Sequence, residues 1–232
     1  MAAARRGWGA WEGRGRLAGL ILWVVAGWAA LVWAPADEAM GPVQRLLYWH
    51  VAVAWVALLG WLVIAVAAAG VWLRRWEEWP DWAVAATEIG TGYITLTVVT
   101  GVVWARAVWG VWWTWEPRLT STLVLFALYG TMAVLGTAIP EPREQARARA
   151  GFGLLGAAFL PLVVFSVYWW RSLHPPLLFA ETGALSGRMR WALGLQFLAW
   201  LWLAVELGGL RLRLYRLEVR RGRVRDHWGW RG

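Results

Sequence analysis

Trp109-Gly110-Val111-Trp112-Trp113-Thr114-Trp115-Glu116-Pro117-Arg118 sits between two long apolar segments, and that setting decides the fold class. A tryptophan ring needs an apolar bed, and its N–H needs an acceptor. On a short helix Trp109, Trp112, Trp113 and Glu116 would fall at i, i+3, i+4 and i+7, placing three indoles and one carboxylate on a single face. Pro117 disfavours helix at Glu116 and suits the first turn of the helix that follows. Two accounts are open. The indoles form an aromatic belt at a membrane–water interface, or they form a flat platform for a flat, largely apolar ligand, with Glu116 and Arg118 at its rim. Belts scatter their aromatics over many helices, whereas this run, Gly110 included, concentrates them on one loop, which favours the platform.

Outward from this loop, six segments each approach the roughly 20 apolar residues needed to cross a bilayer. They are Leu17–Trp33, Leu46–Leu73, Trp82–Trp104, Leu119–Ile139, Gly151–Trp170 and Met189–Leu210. The chain of 232 residues is 60% hydrophobic and 16% charged, with a mean hydropathy of +0.47; a soluble domain of this length carries more charge and fewer apolar runs. The expected fold is therefore an all-α polytopic membrane protein with six transmembrane helices. The first segment follows Arg5, Arg6, Arg14 and Arg16 and precedes Ala34-Pro35-Ala36, as a signal peptide would, but its apolar run is too long for one and reads as an uncleaved helix. Pro161 is expected to kink the fifth span. There is no cysteine, which excludes thiol catalysis, disulfides and Cys-ligated metals. There is no lysine either, and with it goes a Walker-type ATP site.

All 23 basic residues are arginine, and they fall on two sides. Seventeen, including Arg74, Arg75, Arg143, Arg147, Arg149 and the cluster from Arg211 to Arg231, share the side of both termini. Six lie opposite: Arg45, Arg106, Arg118, Arg171, Arg188 and Arg190. The richer side is expected to be cytoplasmic, so both termini are inside and the loops 34–45, 105–118 and 171–188 face out. Because the arginines flank apolar segments, the high isoelectric point does not mark a nucleic-acid-binding domain. Residues 211–232 form a basic cytoplasmic tail, suited to anionic lipid.

Few side chains are equipped for chemistry. His50 opens the second span and His174 follows the fifth, so both fall on the outer side with the tryptophan loop; His227 is in the tail. A single interfacial histidine serves as an amphipathic anchor, but two beside an aromatic platform suggest axial ligation of haem iron. Arg45 and Arg118 are candidate cations for its propionates, since the guanidinium fork matches a carboxylate; headgroup pairing is the alternative. Zinc is the rival metal for His50, His174 and Glu116, without the two-histidine helical spacing of zinc enzymes. Glu88 is an ionisable group inside the third span and a functional candidate on that ground. Thr87, Thr91 and Thr95, with Gly90, Gly92 and Gly101, are expected to serve close helix packing, and Glu206 to be solvated.

The stretch Trp109–Thr120 resembles the tryptophan-rich signature of the haem-handling proteins of cytochrome c maturation. Arg45-Leu46-Leu47-Tyr48-Trp49-His50-Val51 and Ser166-Val167-Tyr168-Trp169-Trp170-Arg171-Ser172-Leu173-His174 are similar to the two histidine segments of the CcmC family within that group. The resemblance covers nearly the whole chain. It implies a haem-exporting or haem-presenting subunit rather than an enzyme, with residues 1–210 as a six-helix haem-handling domain in the bacterial cytoplasmic (inner) membrane. It further implies non-covalent b-type haem at the outer face, with His50 and His174 as axial ligands and the tryptophan loop around it. The implied partners are a periplasmic haem chaperone like CcmE, transporter subunits like CcmA and CcmB, and a small protein like CcmD. Glu116 stands where the family usually has Asp, and Pro175-Pro176 would stiffen the loop after His174. A haem lyase attaching haem to apocytochrome, or a b-type electron carrier, are the alternatives; the first is longer and the second keeps its histidines near mid-membrane.

The arginine asymmetry is directly testable. A reporter fused after Gly232 is expected to be active only in the cytoplasm; activity in the periplasm would invert the arrangement and move the histidines to the inner side.

Overall fold

The computed structural model describes residues 2–38, 40–73, 79–174 and 185–227. Six helices account for most of them: α1 (Ala2–Trp28), α2 (Arg45–Trp72), α3 (Trp79–Trp109), α4 (Pro117–Ala138), α5 (Pro142–Trp169) and α6 (Gly187–His227). Each contains a segment long and apolar enough to cross a membrane. No strand occurs among the described residues beyond one isolated bridge between Asp37 and Gly41. A bilayer offers no water to backbone N–H and C=O groups, so segments of this composition satisfy them internally as helices.

Local sequence sets the ends. Pro117 and Pro142 occupy the first turns of α4 and α5, where a missing N–H costs nothing. The Glu141 carboxylate accepts the Glu144 N–H at 2.7 Å, and α3 stops at Gly110, whose φ of 76° favours glycine. A π-helical turn, Ala29–Trp33, finishes the first span, and Pro42–Gln44 makes a 3₁₀ turn into α2. The six expected spans agree with the helices; α6 continues without a break from Leu210 to His227. Pro161 lies within α5, which stays one continuous helix. Arg74, Arg75, Pro175, Pro176 and Arg231 lie outside the described residues.

The central core joins α2 to α5 through Val53, Val56, Trp61 and Ile64 of α2, Tyr93 and Ile94 of α3, Leu125, Tyr129 and Met132 of α4, and Leu160 and Val163 of α5. Since lipid is as apolar as these side chains, close fit rather than escape from water holds them together. Glycine supplies the fit. Tyr129 lies on Gly90, where a Cβ would stand 2.3 Å from its ring, and a Cβ on Gly60 would stand 3.1 Å from the Tyr129 hydroxyl and 3.8 Å from the Gly90 Cα. The Tyr129 hydroxyl donates to Ala57 O at 2.7 Å. Trp61 is seated on Gly156 and donates to Gly153 O at 3.0 Å. A second cluster ties Ala29 and Ala30 to Leu47, Tyr48, Trp104, Leu185, Met189 and Leu193 at the end of the bundle where α2 begins.

At the opposite end the helices are tied by ions and caps. Glu88 forms a two-oxygen pair with Arg211, including a bond of 2.9 Å to Nη2, and Arg216 meets Asp81 at 3.0 Å. Glu88 thus links α3 to α6. Gln145 donates to Gly136 O at 2.8 Å and Ile139 O at 3.1 Å, taking up carbonyls that the end of α4 leaves free. Thr87, Thr91 and Thr95 each donate to the carbonyl four residues back at 2.7 Å, so their hydroxyls bond within α3 rather than across helices. Glu206 is half-exposed, 3.8 Å from Arg16.

The glycine contacts give a matched pair of variants. Gly90→Val should drive Tyr129 off its seat and cost about 1–3 kcal/mol, the usual range for overpacking, whereas Gly92→Ala, with nothing within 4 Å of its Cβ, should be nearly neutral. Thermal unfolding in detergent distinguishes them; equal midpoints would deny the packing role of Gly90.

Candidate functional site

One cavity occupies the end of the bundle where α2 begins. Its wall from α2 is His50, Val51, Ala54, Trp55 and Leu58, and from α3 Ile94, Thr97, Val98, Gly101, Trp104 and Trp109. Trp113, Arg118, Leu119 and Thr122 come from the tryptophan loop and α4, and His174 closes it from the segment after α5. Helical spacing produces the two stripes: positions 50, 54 and 58, and 94, 97, 101 and 104, return to the same face every turn.

Residues 124 positions apart are brought together here. The His50 and His174 rings lie 6.5 Å apart between centroids, inclined at 63°. Trp104 and Trp109 stand edge to face at 5.2 Å, and both border His174, at 6.2 and 6.0 Å. His50 Nδ1 is 3.0 Å from the Thr100 hydroxyl. Burial of the His174 ring, and after it the Arg118 guanidinium and His50, lower the His174 pKa to about 3. It is therefore a neutral imidazole with a lone pair to offer a metal.

The tryptophan loop is not helical, contrary to the single-face arrangement expected from its spacing. Gly110 turns the chain, and residues 110–116 run as an irregular strap. Arg106 secures the turn by donating to Gly110 O, with its guanidinium 5.7 Å from the centre of the Trp112 ring. The indoles consequently divide. Trp109 and Trp113 line the cavity, while Trp112 and Trp115 are 59% and 76% exposed, Trp115 edge-on to Trp113 at 5.8 Å. Glu116 does not line the cavity: it accepts a hydrogen bond from Ser172, whose oxygen in turn accepts the His174 backbone N–H at 3.0 Å. Arg118 faces the cavity; Arg45 and Gly110 do not line it.

Sequence reasoning overlooked Trp55, Trp104, Thr100 and Ser172. Trp55, five positions beyond His50, falls off the stripe that runs through 50, 54 and 58, and nothing local signalled the other three. Several buried polar atoms around the site lack a hydrogen-bond partner among the described residues: His174 Nδ1, Trp113 Nε1, Thr114 Oγ1, Glu116 Oε1, Thr120 Oγ1 and, at the start of α2, Arg45 Nε. Buried polar groups are normally paired, so this concentration of orphans fits a site built to take a polar-edged ligand. Among the described residues, no three His, Asp or Glu side chains converge as a metal-binding group; the two imidazoles stand as a pair in an aromatic wall, a donor set suited to a metal that brings its own equatorial ligands.

Fold and site together define a polytopic helical membrane protein with an aromatic, two-histidine cavity at one end of its bundle. A family model described as CcmC, heme exporter protein C, matches residues 9–228. The chain belongs to the CcmC family. It is 34% identical over 191 residues to the heme exporter protein C of Bradyrhizobium diazoefficiens, covering 81% of this chain and 73% of the relative. It is 37% identical over 142 residues to the heme exporter protein C of Escherichia coli strain K12, covering 61% and 58%. A putative cytochrome c biosynthesis ccmC-like mitochondrial protein of Marchantia polymorpha is 33% identical over 153 residues, 66% of this chain and 64% of that protein.

The His174 environment sets a pH dependence. A histidine whose folded pKa is depressed stabilises the fold fully above its unfolded value near 6.5, and that contribution is lost as pH falls toward about 3. In protein labelled with ¹⁵N-histidine, His174 should keep neutral-imidazole shifts at pH 5, where a solvated histidine is almost wholly protonated. A titration midpoint near 6.5 would show the ring to be in water.

Proposed function

We propose that this protein holds haem non-covalently in the cavity between His50 and His174, at the outer face of the bacterial cytoplasmic membrane, and passes it to a periplasmic chaperone like CcmE for c-type cytochrome assembly. The pair of imidazoles lining one cavity carries the reading. The ring centroids lie 6.5 Å apart, and His50 and His174 would hold the iron of a haem bound in this cavity. Trp104, Trp109 and Trp113 supply an apolar wall for a flat ring, and Arg118 a cation for one propionate. Without cysteine the chain has no thiol for a thioether link to haem, in keeping with a cargo that is released intact.

Carrier action requires capture without permanent retention. The imidazoles provide iron affinity, and the aromatic wall and Arg118 orient the ring so that its edge meets the acceptor. Trp112 and Trp115 lie outside, beside the cavity, where an approaching protein meets exposed indoles of the kind that dominate binding energy at interfaces. The chain makes and breaks no substrate bonds of its own, and any ATP-driven step falls to partner subunits like CcmA and CcmB, assembled with a small CcmD-like protein. A transmembrane electron carrier would need a second haem within the bilayer; His227, the remaining histidine, ends α6 at the far end of the bundle.

Detergent-purified protein should show a six-coordinate, low-spin haem spectrum that either His50→Ala or His174→Ala abolishes; a spectrum unchanged in both would remove them as ligands. Trp113→Ala, Trp115→Ala and Arg118→Ala should leave haem bound but sharply reduce covalent haem on the chaperone, since a displacement of roughly 1 Å can cost about 10²-fold in rate. Haem staining of the chaperone and haem content of this protein, in the same membranes, separate binding from transfer. Transfer at the wild-type level would make the loop an interfacial belt.

A further inference from the structure

The two histidines are not held alike. His50 is built into a helix pair. The Thr100 hydroxyl donates its proton to Leu96 O at 2.6 Å, so its oxygen is left to accept, and the His50 Nδ1 at 3.0 Å is the donor. The His50 proton is thus on Nδ1, and the lone pair on Nε2. Behind the ring lies Gly101, where a Cβ would stand 2.9 Å from His50 Cε1; any other residue would push the imidazole off α3. His174 has neither device. Its Nδ1 is buried without a partner among the described residues, and what fixes the residue is a hydrogen bond from its backbone N–H to Ser172.

A hydrogen bond from the far ring nitrogen fixes a ligand's tautomer and orientation and raises its basicity, and losing such a partner costs about 10–100-fold in metal affinity. We propose that Thr100 and Gly101 are positioning residues that make His50 the retained ligand, and that His174 is the ligand surrendered when haem is handed over. The proposal rests on the haem-binding reading above. At hand-over the iron–His174 bond breaks and a lone pair from a side chain of the accepting chaperone takes its place. His174 leaves as neutral imidazole, the iron keeps its oxidation state and no proton moves. The iron stays bound to His50 until the acceptor has hold of it, so haem is never free in water.

The test uses full-length, haem-loaded protein in detergent, with excess apomyoglobin as haem acceptor. Thr100→Val keeps the shape but cannot accept from Nδ1, and should release haem about 10–100-fold faster; Thr100→Ser should restore the wild-type rate. Gly101→Ala should act in the same direction as Thr100→Val. In haem-free protein labelled with ¹⁵N-histidine, His50 should show a protonated Nδ1 whose shifts Thr100→Val moves toward the Nε2–H form, a change that mere loss of packing would not produce. His174→Ala should retain a five-coordinate haem that returns to six-coordinate on adding imidazole, whereas His50→Ala should lose haem outright. Wild-type release from Thr100→Val, or equal haem loss from the two histidine variants, would overturn the proposal while leaving both histidines as ligands. Unchanged spectra in both histidine variants would instead overturn the haem reading and this proposal with it.

Discussion

The close approach of α2 to α3 is the contact on which the site depends. In a bilayer two helices gain little by hiding apolar surface from each other, so their separation is set by how well their surfaces interlock. Gly60 and Gly90 let the backbones and Tyr129 meet near the middle. Nearer the cavity, Gly101 receives the His50 ring and Thr100 holds its Nδ1. A bulkier residue at either level would spread the helices, turn the imidazole away and open the aromatic wall that Trp55 and Trp104 share. His50 is thus positioned by the packing of the bundle rather than by a loop.

His174 is positioned by a different kind of contact. Ser172 joins Glu116 of the tryptophan strap to the His174 backbone, and Arg106 pins the opposite end of the strap through Gly110 and Trp112. These are polar links between irregular segments, strong where water is scarce yet easier to rearrange than an interlocked helix face. The strap and the second histidine are coupled, so an acceptor that presses on the exposed indoles would also be felt at His174. The ion pairs of Glu88 with Arg211 and Asp81 with Arg216 brace α3 and α6 at the remote end.

Much of this was legible in the residues alone. Six apolar runs of bilayer length admit no structure but helices, because in lipid every backbone group must be satisfied within its own segment. Prolines at 117 and 142 and the glycine at 110 mark helix ends through local sterics. The two histidines and the tryptophan run were recognisable as one site because alternation of six spans places them at the same end. Each of these depends on composition, chain length or neighbouring residues, which a linear sequence records.

What tertiary structure alone decided is which side chains of that set face one another. Equal spacing suggested a single indole face, but Gly110 broke the helix and sent Trp112 and Trp115 outward, while Trp104, from within a span, took a place in the wall. Glu88, a candidate for function as an isolated carboxylate, became a brace once Arg211, 123 residues away, reached it. Glu116 accepts from Ser172, far from it in the chain, and the hold on His50 that His174 lacks comes from Thr100 and Gly101 on another helix. The physical reason is common to all of these. Spans and breaks follow from energies local to a segment, whereas the facing of a side chain depends on how each helix is rotated against its neighbours, and that rotation is settled by glycine seats and hydrogen bonds between residues far apart in the chain.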